Sequence, residues 1–181
     1  MKKIYLVRHC QAEGQEPKAK LTALGREQAI QLAEFFHSIE VDRIISSPYD
    51  RAQESIKFLA NQKGIEITLD PRLVERVLST KPQPNWLEML KETYEDLHKK
   101  FDGGESSEEA VVRGIAIVKE LLTKGDNRFI LVTHGNLMSL ILRYFDQTYG
   151  FDQWAALTNP DVFLLEFEEE GKVLITRVWD I

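Results

Sequence analysis

Two short apolar runs, each leading directly into a histidine, restrict the folds that this chain can adopt. Residues 4–7 lead into Arg8 and His9, and residues 129–132 lead into Thr133 and His134. Apolar runs of this length between polar flanks are typical of buried strands. Because ligands bind beyond the carboxyl ends of the strands in open α/β sheets, the pattern predicts that both histidines face one binding site.

The rest of the sequence alternates between strand and helix signals. Strands are also predicted at residues 43–46 and 65–69, with a closing hairpin at 162–167 and 173–178 around the turn 170–172. Helices are predicted to start after Thr22, at Pro48, after Asn85, after Ser106 and after Gly135. The first of them is expected to end near Phe36, the second near Gly64 and the third near Phe101. The order β, α, β, α, β, α, α, β, α, β, β predicts an α/β fold, a three-layer α/β/α sandwich with a mostly parallel sheet. We expect one domain over residues 1–181, with residues 74–105 as a small lid.

The charge balance argues against two classes of partner. The chain has 23 Lys and Arg against 29 Asp and Glu, whereas nucleic acids and anionic membranes select basic surfaces. No apolar stretch approaches the roughly 20 residues of a membrane helix. Cys10 is the one cysteine, which excludes an internal disulfide and favours a reducing compartment. We therefore expect a cytoplasmic protein that binds neither nucleic acid nor membrane.

Basic side chains follow three of the predicted strands. Arg8 and His9 follow the first, Arg51 lies one helical turn after the second, and His134 follows the fourth. Guanidinium groups match phosphate geometry, and phosphoryl transfer depends mainly on positioning and on neutralising charge on the non-bridging oxygens. A protonated His134 would add a further donor. The set predicts a small phosphorylated substrate and requires neither a metal ion nor another cofactor.

His9 is the predicted nucleophile. A neutral imidazole is a competent nucleophile, and its ordinary pKa is about 6.5. The leaving oxygen then needs a proton, for which Glu75 is the candidate acid. A zinc site at the two histidines lacks a third ligand at a familiar spacing. A thiol-phosphatase loop would need an arginine at Glu16, so Cys10 is expected to be a small buried thiol.

Six short motifs, ordered along residues 4–140, resemble those of one enzyme family. They are Leu6-Val7-Arg8-His9, Leu21-Thr22-x-x-Gly25-x-x-Gln28-Ala29, Ser46-Ser47-Pro48-x-x-Arg51-Ala52, Asp70-x-Arg72-Leu73-x-Glu75, Gly104-Glu105-Ser106 and Val132-Thr133-His134-Gly135. As a set they resemble the histidine phosphatase superfamily, the phosphoglycerate mutase-like proteins. The resemblance implies that family's fold, with His9 as phosphoacceptor, Arg51 as a phosphate-binding arginine and Glu75 in the acid-bearing segment.

The sequence departs from the family pattern directly after the nucleophile. Related sequences have Gly, an acidic residue and Thr or Ser where this chain has Cys10, Gln11 and Ala12. Loss of the Gly is expected to crowd the approach of the backbone to phosphate, and Ala12 removes a hydroxyl donor. Gln15 stands where related sequences often have Asn, and we expect its side-chain amide to contact phosphate.

Several other residues are assigned ordinary structural roles. We expect Arg72 and Arg76 to be solvated or ion-paired, and Trp86 to belong to the core. His37 and His98 are expected to be exposed, and residues 168–170 to form a solvated turn.

The predicted reaction is hydrolysis of a phosphomonoester through a phosphohistidine at His9. One alternative is a cofactor-dependent phosphoglycerate mutase. Family mutases follow the acid with an Arg-His-Tyr-Gly-type stretch, whereas Glu75 is followed by Arg76-Val77-Leu78-Ser79. Another alternative, motivated by Cys10 and Ala12, is a phospho-ligand-binding module that does not catalyse turnover.

Overall fold

The protein is organised around one six-stranded sheet. The computed structural model describes residues 1–168 and 171–179. The strands are β1 (Lys2–Arg8), β2 (Arg43–Ser46), β3 (Ile67–Leu69), β4 (Arg128–Thr133), β5 (Asp161–Phe167) and β6 (Val173–Arg177). Their order in the sheet is β3-β2-β4-β1-β5-β6, in which the first four are parallel and the last two are added antiparallel.

Helices cover both faces of this sheet. They are α1 (Ala23–Phe35), α2 (Asp50–Lys63), α3 (Trp86–Glu95), α4 (Ser107–Leu122), α5 (Gly135–Phe145) and α6 (Phe151–Ala155). Along β1 the side chains alternate: Ile4 and Leu6 join the core cluster formed with α4 and α5, whereas Tyr5 and Val7 join the cluster formed with α1 and α2. The expected three-layer α/β/α sandwich with a mostly parallel sheet is confirmed.

The starts of α1 and α4 follow the capping signals of the sequence, whereas Asn85 makes no side-chain hydrogen bond at the start of α3. The Thr22 hydroxyl accepts from the N–H of Gly25 at 2.9 Å, and Ser106 and Glu109 form a reciprocal capping box at α4. At the end of α2, Gly64 adopts the left-handed conformation with φ +64°, which glycine enters without steric cost. These local signals set where α1 and α4 begin and where α2 ends.

Three predicted boundaries are wrong. Helix α2 begins at Asp50, not Pro48, because the Ser47 hydroxyl engages the N–H of Tyr49 in a local turn. Helix α3 ends at Glu95, not near Phe101, because the Asp96 carboxylate accepts from the N–H of His98 and competes with the helix. The third strand begins at residue 67 instead of 65, and the short helix α6 was not predicted.

Two histidines and the turn of the closing hairpin were expected at the surface. His37 and His98 are exposed, as expected. Glu169 and Glu170, in the expected turn, lie outside the described residues. No helix in the described part of the chain is long and apolar enough to cross a membrane.

Candidate active site

The carboxyl ends of β1, β4 and β2 lie side by side and bring the predicted site residues together. The sheet register pairs Arg8 with Thr133 and Ser46 with Val132. The N–H of His9 donates to the carbonyl of Thr133 at 3.1 Å, so the chain stays tied to the neighbouring strand as it leaves the sheet. The rings of His9 and His134 therefore lie close, with centroids 5.0 Å apart.

The His9 ring is held in one tautomer. Its Nδ1 lies 2.7 Å from the carbonyl oxygen of Cys10, which can only accept, so Nδ1 carries the proton. Its Nε2 accepts from Nε of Arg51 at 3.2 Å and keeps its lone pair on the side of the arginines. Burial, with smaller contributions from Arg51 and Arg8, lowers the pKa of His9 to about 3. His9 is therefore a neutral imidazole whose unprotonated nitrogen is Nε2.

Arg51 and Arg8 are fixed by backbone carbonyls. Arg51 is fully buried, and its Nη1 donates to the carbonyls of Gln15 and Glu16 at 3.1 and 2.9 Å. Nη1 of Arg8 donates to the carbonyls of Leu157 and Thr158 at 3.0 and 3.2 Å. Neutral acceptors orient each guanidinium without cancelling its charge, which leaves positive potential for an anion.

His134 differs from its expected charge state. Its Nε2 lies 2.8 Å from the Ser47 hydroxyl, and the edge of the Tyr49 ring packs against it with centroids 5.0 Å apart. Burial, and the proximity of His9 and Arg51, lowers the pKa of His134 well below its ordinary value. The protein itself therefore favours a neutral His134, whereas the sequence predicted an imidazolium.

Glu75 lies at the N-terminus of α5, where three backbone N–H groups hold it. Its Oε2 accepts from Asn136, and its Oε1 accepts from Leu137 and from Arg76, at 2.8–3.0 Å. Both carboxylate oxygens are thus used as acceptors. To donate a proton, Glu75 has to release at least one of these backbone groups.

The segment after the nucleophile is clamped by the start of α1. The N–H of Gln11 donates to the side chain of Gln28 at 2.9 Å. The side chain of Gln11 accepts from the Thr22 hydroxyl at 2.8 Å. A Cβ on Gly25 would overlap the carbonyl of Gln11, so only glycine permits this approach. The Leu21–Ala29 motif therefore positions the backbone that carries His9.

Cys10 and Gln15 occupy different environments. The Cys10 side chain is fully buried among apolar residues of the α1 and α2 layer, where burial raises its pKa to about 12, so the expectation of a small buried thiol is confirmed. It points into the core and does not crowd the site. Gln15 is exposed at the cavity mouth, and its backbone carbonyl, not its amide, is the group that binds Arg51.

Four buried side-chain nitrogens in residues 1–168 and 171–179 have no hydrogen-bond partner. They are Arg8 Nε, Arg51 Nη2, His134 Nδ1 and Arg76 Nη2. An unsatisfied buried polar group costs about 1–3 kcal/mol, and such groups are rare in native proteins. Three of these nitrogens, on Arg8, Arg51 and Arg76, are guanidinium donors, and an anion can accept hydrogen bonds from them.

A cavity of about 610 Å³ is lined by Arg8 and Arg76, two of the residues that carry these nitrogens. Its polar lining consists of Arg8, Gln15, Glu75, Arg76 and Asn136, and its apolar lining includes Trp86, Trp154, Leu78 and Leu90. Trp86 is 50% exposed at the cavity rim, so its assignment to the core is wrong. The cavity joins Arg8 to residues of the 74–105 segment.

Arg72 and Arg76, on either side of Glu75 in the sequence, lie in different environments. Arg72 is ion-paired with Asp70 at 2.6 Å and with Glu120 at 2.9 Å, as expected. Arg76 is only 5% exposed and bonds Thr93, Asn136 and the carbonyl of Glu105. The expectation that Arg76 is solvated or ion-paired is wrong, because the segment folds back over α5 and buries it.

Sequence reasoning missed several supporting residues. Asn159 donates to the carbonyl of His9 at 2.8 Å, and the Ser55 hydroxyl accepts from the N–H of Cys10 at 2.8 Å. Ser47 lies inside a motif that was recognised, but its contact with His134 joins positions 87 residues apart. Only the spacing Arg51-x-x-x-Ser55, one helical turn, offered a local signal for any of these contacts.

The chain is similar in sequence to one family of enzymes. The family model described as "Histidine phosphatase superfamily (branch 1)" matches residues 4–180. The probable phosphoglycerate mutase GpmB of Enterobacter sp. (strain 638) is 31% identical over 153 residues, covering 75% of this chain and 70% of that protein. Its counterpart from Salmonella choleraesuis (strain SC-B67) is 27% identical and covers 93% of this chain and 86% of that protein.

Solved structures share the fold. The native structure of a mycobacterial glucosyl-3-phosphoglycerate phosphatase superposes with a TM-score of 0.80 at 23% identity and covers 98% of both chains. A phosphoserine phosphatase mutant from Entamoeba histolytica, in complex with phosphoserine, superposes with a TM-score of 0.78 at 20% identity and covers 97% of this chain and 95% of that chain.

Proposed function

The chain belongs to the histidine phosphatase superfamily (branch 1), and on this basis we propose that it is a phosphomonoester hydrolase that acts through a phosphohistidine on His9. One observation carries the proposal. The unprotonated Nε2 of His9 lies beside Arg51, and three buried nitrogens, on Arg8, Arg51 and His134, have no partner among the described residues. A phosphoryl group beside His9 supplies the oxygens that these nitrogens lack.

In the first step, Nε2 of His9 is released from Nε of Arg51 and attacks phosphorus in line, and the bond from phosphorus to the ester oxygen breaks. The proton stays on Nδ1 and remains hydrogen-bonded to the carbonyl of Cys10, which holds the ring through the reaction. Arg8 and Arg51 balance the charge on the non-bridging oxygens. The neutral His134 donates to a phosphoryl oxygen through Nδ1, while its Nε2 accepts from the Ser47 hydroxyl.

Glu75 is the proposed proton carrier. It gives its proton to the leaving oxygen, and as a carboxylate it then takes a proton from the water that attacks the phosphohistidine. The second step releases inorganic phosphate and restores neutral His9 and protonated Glu75. Its hydrogen bonds to α5 imply that Glu75 turns from these backbone groups towards the cavity during the cycle.

Three further parts of the proposal concern the metal requirement, the size of the substrate and the cellular location. The cationic side chains can balance the charge of the phosphoryl group by themselves, so we propose that no metal ion is required. The cavity of about 610 Å³ suits a small phosphorylated metabolite, and the single cysteine supports a cytoplasmic location.

A phosphoglycerate mutase is the second candidate, because the sequence relatives reported above carry that name. A mutase uses the same phosphohistidine but passes the phosphoryl group to a bound phosphoglycerate and not to water. Bisphosphoglycerate-dependent interconversion of phosphoglycerates, faster than phosphate release, would identify it.

The decisive experiment measures phosphate release from sugar phosphates, nucleotides, phosphoglycerates, phosphoamino acids and a generic aryl phosphate. We expect wild-type turnover of at least one ester and a fall in kcat of about a thousandfold or more in His9→Ala. His37→Ala, at an exposed histidine, is the matched control and should retain full activity. An acid-labile phosphoryl group on the wild-type protein, absent from His9→Ala, identifies the intermediate. Binding of phosphate without turnover of any ester would instead support a non-catalytic module.

A further inference from the structure

Asp161 is a fully buried carboxylate next to the candidate active site. It is the first residue of β5, and the sheet register places it opposite Arg8, the last residue of β1. Residues paired in this way lie on the same face of a sheet, with Cβ atoms about 5 Å apart. In the described part of the chain, however, the ion pair of Asp161 is with Arg177 of β6, at 2.7 Å, and not with Arg8. Arg8 therefore keeps its guanidinium free of a direct carboxylate partner.

The carboxylate of Asp161 also fixes the backbone on both sides of it. Oδ2 accepts from the N–H of Thr158 at 2.9 Å, and Oδ1 accepts from the N–H of Val162 at 3.0 Å. Nε and Nη2 of Arg177 donate to Oδ1 and Oδ2 at 3.0 and 2.7 Å. Four donors therefore hold the carboxylate, which closes the loop of residues 157–160, between α6 and β5, and joins it to β6.

The 157–160 loop in turn contacts two residues of the site. Nη1 of Arg8 donates to the carbonyls of Leu157 and Thr158 at 3.0 and 3.2 Å, and the side chain of Asn159 donates to the carbonyl of His9 at 2.8 Å. Thr158 is held by Asp161 through its N–H and holds Arg8 through its carbonyl. A single residue therefore connects the buried carboxylate to the guanidinium.

Stability alone is a poor explanation for a carboxylate in this place. A buried ion pair is often no more stabilising than well-packed apolar residues of similar volume, because both charges lose their hydration. Its distinctive contribution is geometry, since the two-point contact with Arg177 and the two backbone donors leave one orientation for Thr158. We propose that Asp161 is a positioning residue, which acts through the 157–160 loop to hold the guanidinium of Arg8 where it binds the phosphoryl group.

The test measures anion binding and not turnover, since the inference rests on the proposed function. Titration calorimetry with inorganic phosphate compares wild-type protein with Asp161→Asn. Asparagine has nearly the same shape, but its amide nitrogen cannot accept from the donors that face one of the two carboxylate oxygens. We expect the variant to bind phosphate about tenfold more weakly, because a misplaced guanidinium meets the anion poorly. Unchanged affinity in a folded Asp161→Asn would overturn the proposal.

Asp42→Asn is the matched control. The carboxylate of Asp42 has the same kinds of partner, since it pairs with Arg128 at 2.9 Å and accepts from the N–H groups of Asn127 and Arg128. It precedes β2 and therefore lies at the opposite edge of the sheet from the candidate active site. Phosphate affinity should not change in this variant. A similar loss in Asp42→Asn and Asp161→Asn would contradict the proposal, because it would reflect a general loss of stability.

Combined substitutions assign the effect to Arg8. In an Arg8→Lys background the planar fork is already lost, so Asp161→Asn should weaken phosphate binding by less than about twofold further. In an Arg51→Lys background the loss of about tenfold should remain, because Arg51 is held by the carbonyls of Gln15 and Glu16 and not by the 157–160 loop. A purely structural role would not distinguish the two backgrounds. Equal losses in both would therefore contradict positioning through Arg8.

Arg177→Gln keeps the inference testable if Asp161→Asn fails to fold. The side chain of Arg177 is 40% exposed, and its loss leaves the bonds from Thr158 and Val162 to Asp161 in place. We expect phosphate binding to weaken by about threefold, and by less in the Arg8→Lys background. Unchanged affinity in a folded Arg177→Gln would contradict the proposal. Absence of turnover on every ester would contradict the phosphatase, while the phosphate affinities would still decide the role of Asp161.

Discussion

The environment of His9 explains how this chain tolerates an unusual residue after the proposed nucleophile. The group that orients His9 is the backbone carbonyl of Cys10, which every residue type has. The Cys10 side chain points into the core, away from the arginines. A glycine at this position is therefore not required for the tautomer of His9, so the departure from the family pattern is compatible with a competent nucleophile.

The buried neutral state of His9 should make stability depend on pH. Its folded pKa, about 3, lies below the unfolded value of about 6.5, so its contribution is complete above pH 6.5 and is lost as pH falls towards 3. Between pH 7.5 and pH 5.0 this one group should lower the free energy of unfolding by about 2 kcal/mol. Urea unfolding of wild-type protein and His9→Gln at both pH values measures the difference.

The matched control is His37→Gln, since His37 is exposed and should not alter the pH dependence of stability. His134 also has a lowered pKa, so His9→Gln should remove only part of the acid sensitivity. An identical loss of stability in wild-type protein and His9→Gln would mean that His9 already carries a proton at pH 5.0.

At the scale of the elements, the backbone of the loop from β1 to α1 passes very close to the first turn of α1. Gly25 lies in the first turn of α1, directly against the carbonyl of Gln11, and Thr22 and Gln28 bind the same residue. The spacing Thr22-x-x-Gly25-x-x-Gln28 puts all three on one side of the helix start. The motif thus connects helix geometry to the placement of His9.

Gly25→Ala should therefore disturb both stability and activity. The added methyl group cannot fit without moving the backbone of Gln11, so we expect a loss of about 1–3 kcal/mol in the free energy of unfolding. If the proposed function holds, kcat should fall as well, because the moved loop carries His9. Chemical unfolding and phosphate release measure the two effects.

Gly125→Ala is the control, because a Cβ there meets nothing within 4 Å. It should change stability by less than about 0.5 kcal/mol, or raise it slightly through the unfolded state. If Gly25→Ala behaves like Gly125→Ala, the close approach does not require glycine.

At the scale of the molecule, the sheet separates two cores. Ile56 of α2 belongs to the cluster on one face, and Leu140 of α5 to the cluster on the other, and both are fully buried. The strands between them contribute alternate side chains to each cluster. The active site lies at one end of this sandwich, so the packing of both layers supports it.

Because the sheet separates the two clusters, the losses in free energy of unfolding from one substitution in each cluster should add. Ile56→Ala and Leu140→Ala should each lower the free energy of unfolding by about 2–5 kcal/mol, through lost burial and the cavity left behind. Because the sheet lies between the two sites, the double variant should lose the sum within about 0.5 kcal/mol. Urea unfolding of the four proteins tests this.

Ile56→Ala with Leu59→Ala is the comparison pair, because both residues lie in the same cluster, one helical turn apart. That pair should deviate from the sum. Strong coupling between Ile56 and Leu140 would mean that the two layers do not pack independently.

The sequence was sufficient for the sheet, for helices α1 to α5 and for the group His9, Arg8, Arg51 and His134, but not for α6. The reason is local: apolar runs, caps and spacings act within a few residues, and parallel strands necessarily end at one edge. The charge of His134, the burial of Arg76 and the exposure of Trp86 did not follow from the sequence. Each depends on contacts between residues distant in the chain, such as Arg76 with Asn136, 60 positions later. Desolvation and hydrogen-bond partners are set by that packing, so the charge state of His134 and the burial of Arg76 are decided only when the chain is folded.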